Sequence, residues 1–300
     1  MITILGPTAT GKTSLAANLA SLINGEIISA DSRQVYRGMD IGTGKDLDDY
    51  NIDGRKIPYH LVDIVEPGYE YNVFEFQKDF LKAYATIDER GSIPILCGGT
   101  GLYIESVLKG YKLIDVPKND LLREELELKD EAELIEILET YKNLHNTTDT
   151  SERERLIRAI EIQKYYDEHP DIDTHFPKID TKIFGISYDR RVVRMRITER
   201  LEERLQNGMI EEVEGLLSSG VKPDQLTFYG LEYKWVTDYL EGKLAYNEMF
   251  RRLNTAIHQF SKRQMTWFRR MEKQGFEINW IDGNLNLPEK IAFILQNLPN

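Results

Sequence analysis

The sequence predicts an α/β fold: a mostly parallel sheet core, an all-helical insertion and a helical C-terminal part. Three observations predict it. Short apolar runs alternate with helical-period segments through the first hundred residues, the pattern of a parallel sheet. A glycine-rich string, GPTATGKT at 6–13, joins the first run to the first helical segment. From about Asp115 the strand pattern lapses, and it returns only at Lys182.

Along the chain, Ile2 to Leu5 is an apolar run that ends at Gly6, a first strand. Leu15, Leu19, Leu22 and Ile23 then recur at helical spacing. Glu26 to Ala30 (EIISA) is a second buried strand, and His60 to Val65 (HLVDIV) is a candidate third. Phe74 to Ile87 carries apolar residues at helical period, and Gly91 ends it. Ile93 to Cys97 (IPILC) is a further buried strand, with Pro94 confined near its start because proline cannot donate to the ladder. These elements place the first part of the core in 1–114.

The insertion is assigned to 115–180. Residues 118–168 are rich in Glu, Lys, Leu and Ile at helical period and hold no strand-like run. The rest of the core, 181–300, opens on a strand at Lys182 to Tyr188 (KIFGISY). Helices follow at about 190–218 and 229–272, then a strand at 275–280 and a short last helix.

The 300 residues are 41% hydrophobic and 29% charged, enough to bury a core and too balanced for a disordered polyelectrolyte. Cys97 is the single cysteine, which excludes a disulfide framework and a cysteine zinc site. No apolar run approaches the roughly 18 residues of a membrane span, and the opening run is too short for a signal peptide. A cytoplasmic protein with no membrane partner is expected. The net charge of −12 argues, as an average, against a nucleic-acid partner. The average covers unlike parts. Residues 124–139 hold eight acids and one lysine, read as a solvated helical face, whereas 251–273 hold seven lysines or arginines and one glutamate.

GPTATGKT fits G-x-x-x-x-G-K-[ST], which makes the core P-loop NTPase-like. Its glycines allow a tight loop whose N–H groups point at phosphate oxygens. Gly6, Pro7, Thr8, Ala9, Thr10, Gly11, Lys12 and Thr13 are therefore the phosphate-binding set, which the resemblance drawn below makes diphosphate-binding. Lys12 adds a cation, the Thr13 hydroxyl is a ligand for Mg²⁺, and the following helix turns its positive end to the anion. The string specifies a polyphosphate and not ATP in particular. Asp63, after Leu61 and Val62, is a candidate to help hold Mg²⁺, while IPILC runs into Gly98-Gly99-Thr100-Gly101 with no acid.

Asp31 follows the second strand and faces the same crevice as the loop, which makes it the best candidate for a general base. Its alternative reading is a turn cap. Thr100 sits in a glycine nest where a second molecule can approach the backbone. It is either a substrate contact or a helix N-cap.

Residues 249–271 form a two-faced helix within a basic segment at 245–272. Leu253, Ile257, Phe260, Gln264, Trp267, Phe268 and Met271 share one side. Arg251, Arg252, His258, Lys262, Arg263, Arg269 and Arg270 share the other, with little acid between them. Solvated helices usually mix both signs, so this face points to RNA.

Taken together, the motifs resemble the bacterial tRNA dimethylallyltransferases (tRNA isopentenyltransferases). The matching strings are GPTATGKT, DSRQVYRGMDIGTGK (31–45), GGTGLY (98–103), ERLIRAIEI (154–162), the R-I-x-x-R run at 196–200 and KRQMTWFRR (262–270). They stand in the family's order over nearly the whole chain.

The resemblance implies transfer of a dimethylallyl group from dimethylallyl diphosphate to N6 of adenosine 37, in tRNAs that read codons beginning with U. Diphosphate is released and Mg²⁺ is the cofactor. By similarity Asp31 receives a hydrogen bond or proton from the adenine amine, Arg200 stabilises the leaving group, and Thr100 contacts the tRNA near the reacting base. Ser32, Arg33 and Gln34 match a segment that reads neighbouring nucleotides. Arg123, Arg155 and Arg158 match tRNA-contacting positions on the insertion, and Lys262, Arg263 and Gln264 belong to the basic helix. A monomer is expected.

The chain departs from the family at three places. Ile257-His258-Gln259 stands for T-R-Q, Gly230-Leu231-Glu232-Tyr233 for G-Y-x-E, and Gly44 for a frequent alanine. Three other functions share parts of the pattern: a small-molecule kinase, a prenyltransferase of free adenine nucleotides, and an RNA-binding nucleotide switch. The kinase leaves the basic helix and the DSRQVY segment idle, the free-nucleotide enzyme has less use for the insertion, and the switch makes no product.

Overall fold

A computed structural model describes residues 1–141, 153–171 and 175–298. The chain divides into two compact units, Met1–Gly110 with Pro177–Asn300, and Tyr111–Phe176.

The first unit begins with β1 (Ile2–Leu5), every residue of which is buried. The phosphate loop leads into α1 (Lys12–Ile23), whose N-cap, Gly11, has φ 78, a conformation glycine adopts without Cβ strain. β2 (Gly25–Ala30) follows, then a 3-10 turn at Leu47–Tyr50 and a short antiparallel pair, β3 (Asn51–Ile52) and β4 (Arg55–Lys56).

β5 (Tyr59–His60) is only the beginning of the strand expected over His60 to Val65. Leu61 and Asp63 have φ 61 and 55, so the backbone leaves the sheet immediately after His60. The apolar run is buried all the same, as a loop: Leu61 is 6% exposed and Val62 8%.

α2 (Val73–Glu89) starts on a capping box. Asn72 accepts from the Phe74 and Glu75 N–H groups, and Glu75 accepts from Asn72 N–H. β6 (Ile93–Gly98) and α3 (Gly101–Lys109) complete the first segment. β1 pairs with β6 only from Ile95 onward, so Pro94 has a strand neighbour on one side alone, at Glu26.

The second unit packs α4 (Asp120–Glu127), α5 (Glu131–Tyr141) and α6 (Arg153–Glu168). Leu122, Leu126, Leu134, Leu138, Leu156 and Ile160 form its core. The part of the predicted helical segment at 142–152 lies outside the described residues.

The first unit resumes with β7 (Lys182–Ser187), α7 (Arg190–Gln206), α8 (Met209–Ser218), α9 (Pro223–Phe228), α10 (Leu231–Leu240) and α11 (Tyr246–Lys273). It ends with β8 (Ile278–Asp282) and α12 (Leu287–Gln296). The two long helices expected at 190–218 and 229–272 are each broken, at Gly208 (φ 101) and near Gly242 (φ 74). The last strand begins three residues later than expected because α11 continues to Lys273 and Gly275 (φ 96) turns the chain.

The six strands run in the order β5-β2-β6-β1-β7-β8, all parallel. Ile4, Leu15, Ile27, Ile95, Phe184 and Ile281 anchor the core of this unit. Leu5, Ala30 and Gly98 end three neighbouring strands in register. The segments after them, carrying the phosphate loop, Asp31 and Thr100, therefore open at one edge of the sheet, where ligands of parallel α/β sheets bind. Among the described residues, no helix is long and apolar enough to cross a membrane.

Candidate functional site

At that edge lies a cavity of ≈ 1320 Å³. Thr8 to Thr13 form its floor, and Asp31, Thr100, Arg200 and Trp267 all line it. The loop is held from several sides. Thr8 N–H donates to Gln264 Oε1 at 2.8 Å, and Gln264 Nε2 donates to Gly99 O at 2.9 Å. Arg196 Nε donates to Ala9 O at 2.8 Å. The Pro7 carbonyl, at the foot of the loop beside Gly6, accepts from Thr10 Oγ1 at 2.8 Å and from Lys12 Nζ at 2.7 Å. Burial pushes the Lys12 ammonium down to about 8, and nearby Arg200 adds to the shift.

Asp31 Oδ1 accepts from Arg33 N–H at 2.9 Å, so the residue caps a turn and also lines the cavity. Thr100 Oγ1 accepts from Ser32 N–H at 3.0 Å, and α3 has no side-chain cap at its N-terminus. Thr100 thus ties the ends of β2 and β6 together, and it occupies the N-cap position of α3 without capping it through its side chain. Arg33 lies over the Phe228 ring, 5.4 Å from its centroid.

Gln34 and Gln264, expected to meet tRNA, line the cavity but are largely buried, and each is braced by hydrogen bonds within the fold. Gln34 is 8% exposed, accepts from Ser29 Oγ at 3.0 Å and donates to Gly44 O at 3.0 Å. Gln264 is 7% exposed and fully engaged between Thr8 and Gly99. A buried amide must satisfy both of its ends, and here backbone and a neighbouring hydroxyl do so. Asp63 also departs from expectation. Its carboxylate accepts from buried Lys45 Nζ, which binds Asp40 at 2.6 Å as well, so Asp63 is spent on holding a loop.

Arg200 on α7 places Nη1 3.5 Å from Thr8 Oγ1 and donates Nη2 to Asp46 Oδ2 at 2.5 Å. Arg204 lies one turn further on the same helix. Arg196, Arg200 and Arg204 are spaced four apart, so they share a helical face toward the cavity. Arg196, Arg204 and Asp46 were not singled out as individual site residues by the sequence, although that spacing was visible in it. Glu232 lines the same wall. Burial pushes its carboxyl up, while Arg204 and Arg200 oppose the shift.

α11 buries Leu253, Ile257, Gln264, Phe268 and Met271 and exposes Arg251, Lys262, Arg263 and Arg269. Two cations of its basic side are neutralised within the fold, Arg252 by Glu248 at 2.5 Å and Arg270 by Glu105 at 2.6 Å. Arg270 also stacks on Trp267, 3.9 Å from the ring centroid. Trp267, assigned to the core side by its spacing, lines the cavity instead. Burial pushes the His258 pKa down, and its Nε2 lies 3.2 Å from Arg194 O.

In the second unit, Arg123 and Arg158 both donate to buried Glu161, and Asn119 N–H joins them at 2.6 Å. Burial alone would push the Glu161 carboxyl up, but these three hydrogen bonds hold it at about 2. Two guanidinium groups share one carboxylate, so the cluster keeps a net positive charge. Arg153 donates to the carbonyls of Leu126, Glu127 and Lys129 at the end of α4, and Arg155 is exposed.

The IPP transferase family model matches residues 34–271, and an isopentenyl transferase model matches 1–58. The tRNA dimethylallyltransferase 2 of Bacteroides fragilis is 59% identical over 298 residues, covering 99% of this chain and 97% of its own length. The tRNA dimethylallyltransferase 1 of Parabacteroides distasonis is 58% identical over 301 residues, covering 100% and 98%. Among solved structures, the full-length tRNA isopentenylpyrophosphate transferase of Bacillus halodurans aligns with a TM-score of 0.71 at 32% identity, over 98% of this chain and 94% of that one. Likeness of this extent spans both units and every segment that builds the cavity, and the chain belongs to the IPP transferase family, with the bacterial tRNA dimethylallyltransferases.

Proposed function

We propose that this chain transfers a dimethylallyl group from dimethylallyl diphosphate to N6 of adenosine 37, in tRNAs that read codons beginning with U. It acts as a monomer in the cytoplasm. The observation that carries this reading is a single cavity in which a phosphate loop, Asp31 and Arg200 converge. The names of the relatives support tRNA as acceptor and dimethylallyl as the group moved.

The phosphate loop and Lys12 hold the diphosphate. The C1–O bond to diphosphate breaks and a bond from N6 to C1 forms. Negative charge grows on the leaving oxygens, where Lys12, the loop N–H groups and Arg200 stabilise it. The proton lost from N6 passes toward Asp31, whose carboxylate also orients the weakly nucleophilic amine. The adenine reaches this cavity by leaving its stack in the anticodon loop. Trp267, Leu102 and Phe260 give the cavity apolar surface, which keeps water from the allyl group.

Oxygen donors suit magnesium, which uses one or two protein groups and substrate phosphates for the rest. Thr13 lies in the first turn of α1 beside the loop and fits that role, and diphosphate oxygens would supply further ligands. When bound, the ion neutralises charge on the leaving group.

Incubation with dimethylallyl diphosphate, Mg²⁺ and an anticodon stem-loop bearing adenosines 36 and 37 is expected to yield a prenylated adenosine by nucleoside mass analysis. ADP release from ATP with no use of the allylic donor would overturn the reading in favour of a kinase. Equal activity on AMP would overturn the tRNA assignment.

Lys262, Arg263 and the insertion arginines contact the phosphate backbone in this reading. Replacing Lys262 and Arg263 by glutamine is expected to weaken tRNA binding across sequences and to flatten its salt dependence by about one charge per residue. An unchanged slope in filter binding would remove the outer side of α11 from the interface.

A further inference from the structure

The wall that presents Arg200 carries a second guanidinium with no task in the reaction so far. The Arg204 side chain is 13% exposed, and its Nη2 is buried with no hydrogen-bond partner. Its nearest carboxylate oxygen, Asp46 Oδ1, is 3.7 Å away, beyond hydrogen-bond range. Asp46 gives its other oxygen to Arg200. One carboxylate is shared unevenly by two guanidinium groups.

The backbone makes room for this pair. Gly44 has φ 68, and a Cβ there would fall 1.8 Å from Arg204 Nη2 and 2.6 Å from Arg200 Nη2. A side chain at 44 would displace both cations. Asp46 itself has φ 43, in the left-handed region that non-glycine residues enter at a cost. A buried guanidinium N–H left unpaired is also costly. The fold tolerates both costs at one point of one cavity, and a simple structural ion pair needs neither.

We propose that Arg200 and Arg204 form a two-guanidinium seat for the terminal phosphate of the diphosphate, and that Asp46 occupies it until the donor arrives. This inference rests on the diphosphate reading above. A terminal phosphate offers three oxygens where a carboxylate offers two, and guanidinium groups match it in geometry and charge. Its arrival gives Arg204 Nη2 the partner it lacks. The displaced Asp46 side chain, already 45% exposed, moves outward into water.

Inorganic diphosphate is the probe, titrated by calorimetry into the full chain with fixed Mg²⁺ and again without it. Arg204→Met keeps the length of the side chain and removes its charge, and is expected to weaken binding about tenfold, the loss of one charged hydrogen bond. Gly44→Ala is expected to weaken it similarly, and the double variant little further, because both empty the same seat. Asp46→Asn is expected to tighten binding with or without magnesium. Should Arg204→Met not fold, Asp46→Asn decides alone, since a merely structural Asp46 gives no tightening. Unchanged affinity in Arg204→Met, or unchanged or weaker binding in Asp46→Asn, overturns the proposal and leaves the diphosphate reading standing. Failure of the unsubstituted chain to bind diphosphate overturns both.

Discussion

Replacing Asp31 by asparagine is expected to lower turnover about 10²- to 10⁴-fold, the range for loss of a positioned general base. Diphosphate affinity should stay nearly unchanged. Asparagine keeps an oxygen for Arg33 N–H, so the turn that Asp31 caps survives. What is lost is the negative charge and the capacity to take a proton from N6. Single-turnover rates with prebound donor and stem-loop measure the chemical step, and calorimetry with diphosphate measures the other half. A parallel fall in both would move Asp31 from the base to the metal and phosphate side of the site.

Lys12→Met is expected to lower kcat/KM for the allylic donor about 10²- to 10³-fold, as for loss of one preorganised donor to developing charge. The pH dependence gives this residue an independent signature. Burial holds the empty-site ammonium at about 8, so above that pH the free chain loses the charge that diphosphate needs. An anion beside it favours the protonated form. Affinity should therefore be fully present below about pH 8, fall as pH rises through it, and be accompanied there by proton uptake. Calorimetry in two buffers of different ionisation enthalpy detects that uptake. Lys12→Arg, charged throughout, should show none. Flat affinity across about pH 7 to 9 in the unsubstituted chain would remove Lys12 from the partners of the anion.

The parts of the fold legible in the sequence are those set by local pattern. GPTATGKT needs only a strand before it and a helix after it, and both are there. The alternation through Gly98 gave a parallel sheet for the same reason. His60 to Val65 misled because burial in a loop and burial in a strand leave the same apolar run. Only the backbone angles of Leu61 and Asp63 separate the two. The helix breaks at Gly208 and near Gly242 were signalled by glycine alone, which helical interiors also tolerate at modest cost.

The candidate site was legible wherever a residue type has one strong use. Asp31, Thr100, Lys12 and Arg200 all face or border one cavity. The bracing by Gln34 and Gln264 was not legible, because an amide serves equally well as an RNA reader and as a buried brace. Its partners, Gly44 and Ser29 in one case and Thr8 and Gly99 in the other, are fixed by tertiary structure. Trp267 was misplaced because a helical wheel cannot tell a core from a cavity wall. The shared carboxylate of Asp46 was invisible for a related reason: its two arginines lie more than 150 residues away in sequence.

The brace at Gln264 has a consequence beyond holding the loop still. α11 is a single 28-residue rod. Its outer side bears exposed cations, and its inner side carries an amide, Gln264, that grips Thr8 and Gly99. In the proposed reading, RNA drawn to the outer side and an allylic donor seated on the loop push on the same rigid body. Binding free energies coupled through one body are reciprocal. Whatever a tRNA does to the hold on diphosphate, diphosphate does in equal measure to the hold on tRNA. In that reading the chain registers its two substrates jointly, and any change in its hold on diphosphate after transfer is matched by an equal change in its hold on the modified RNA.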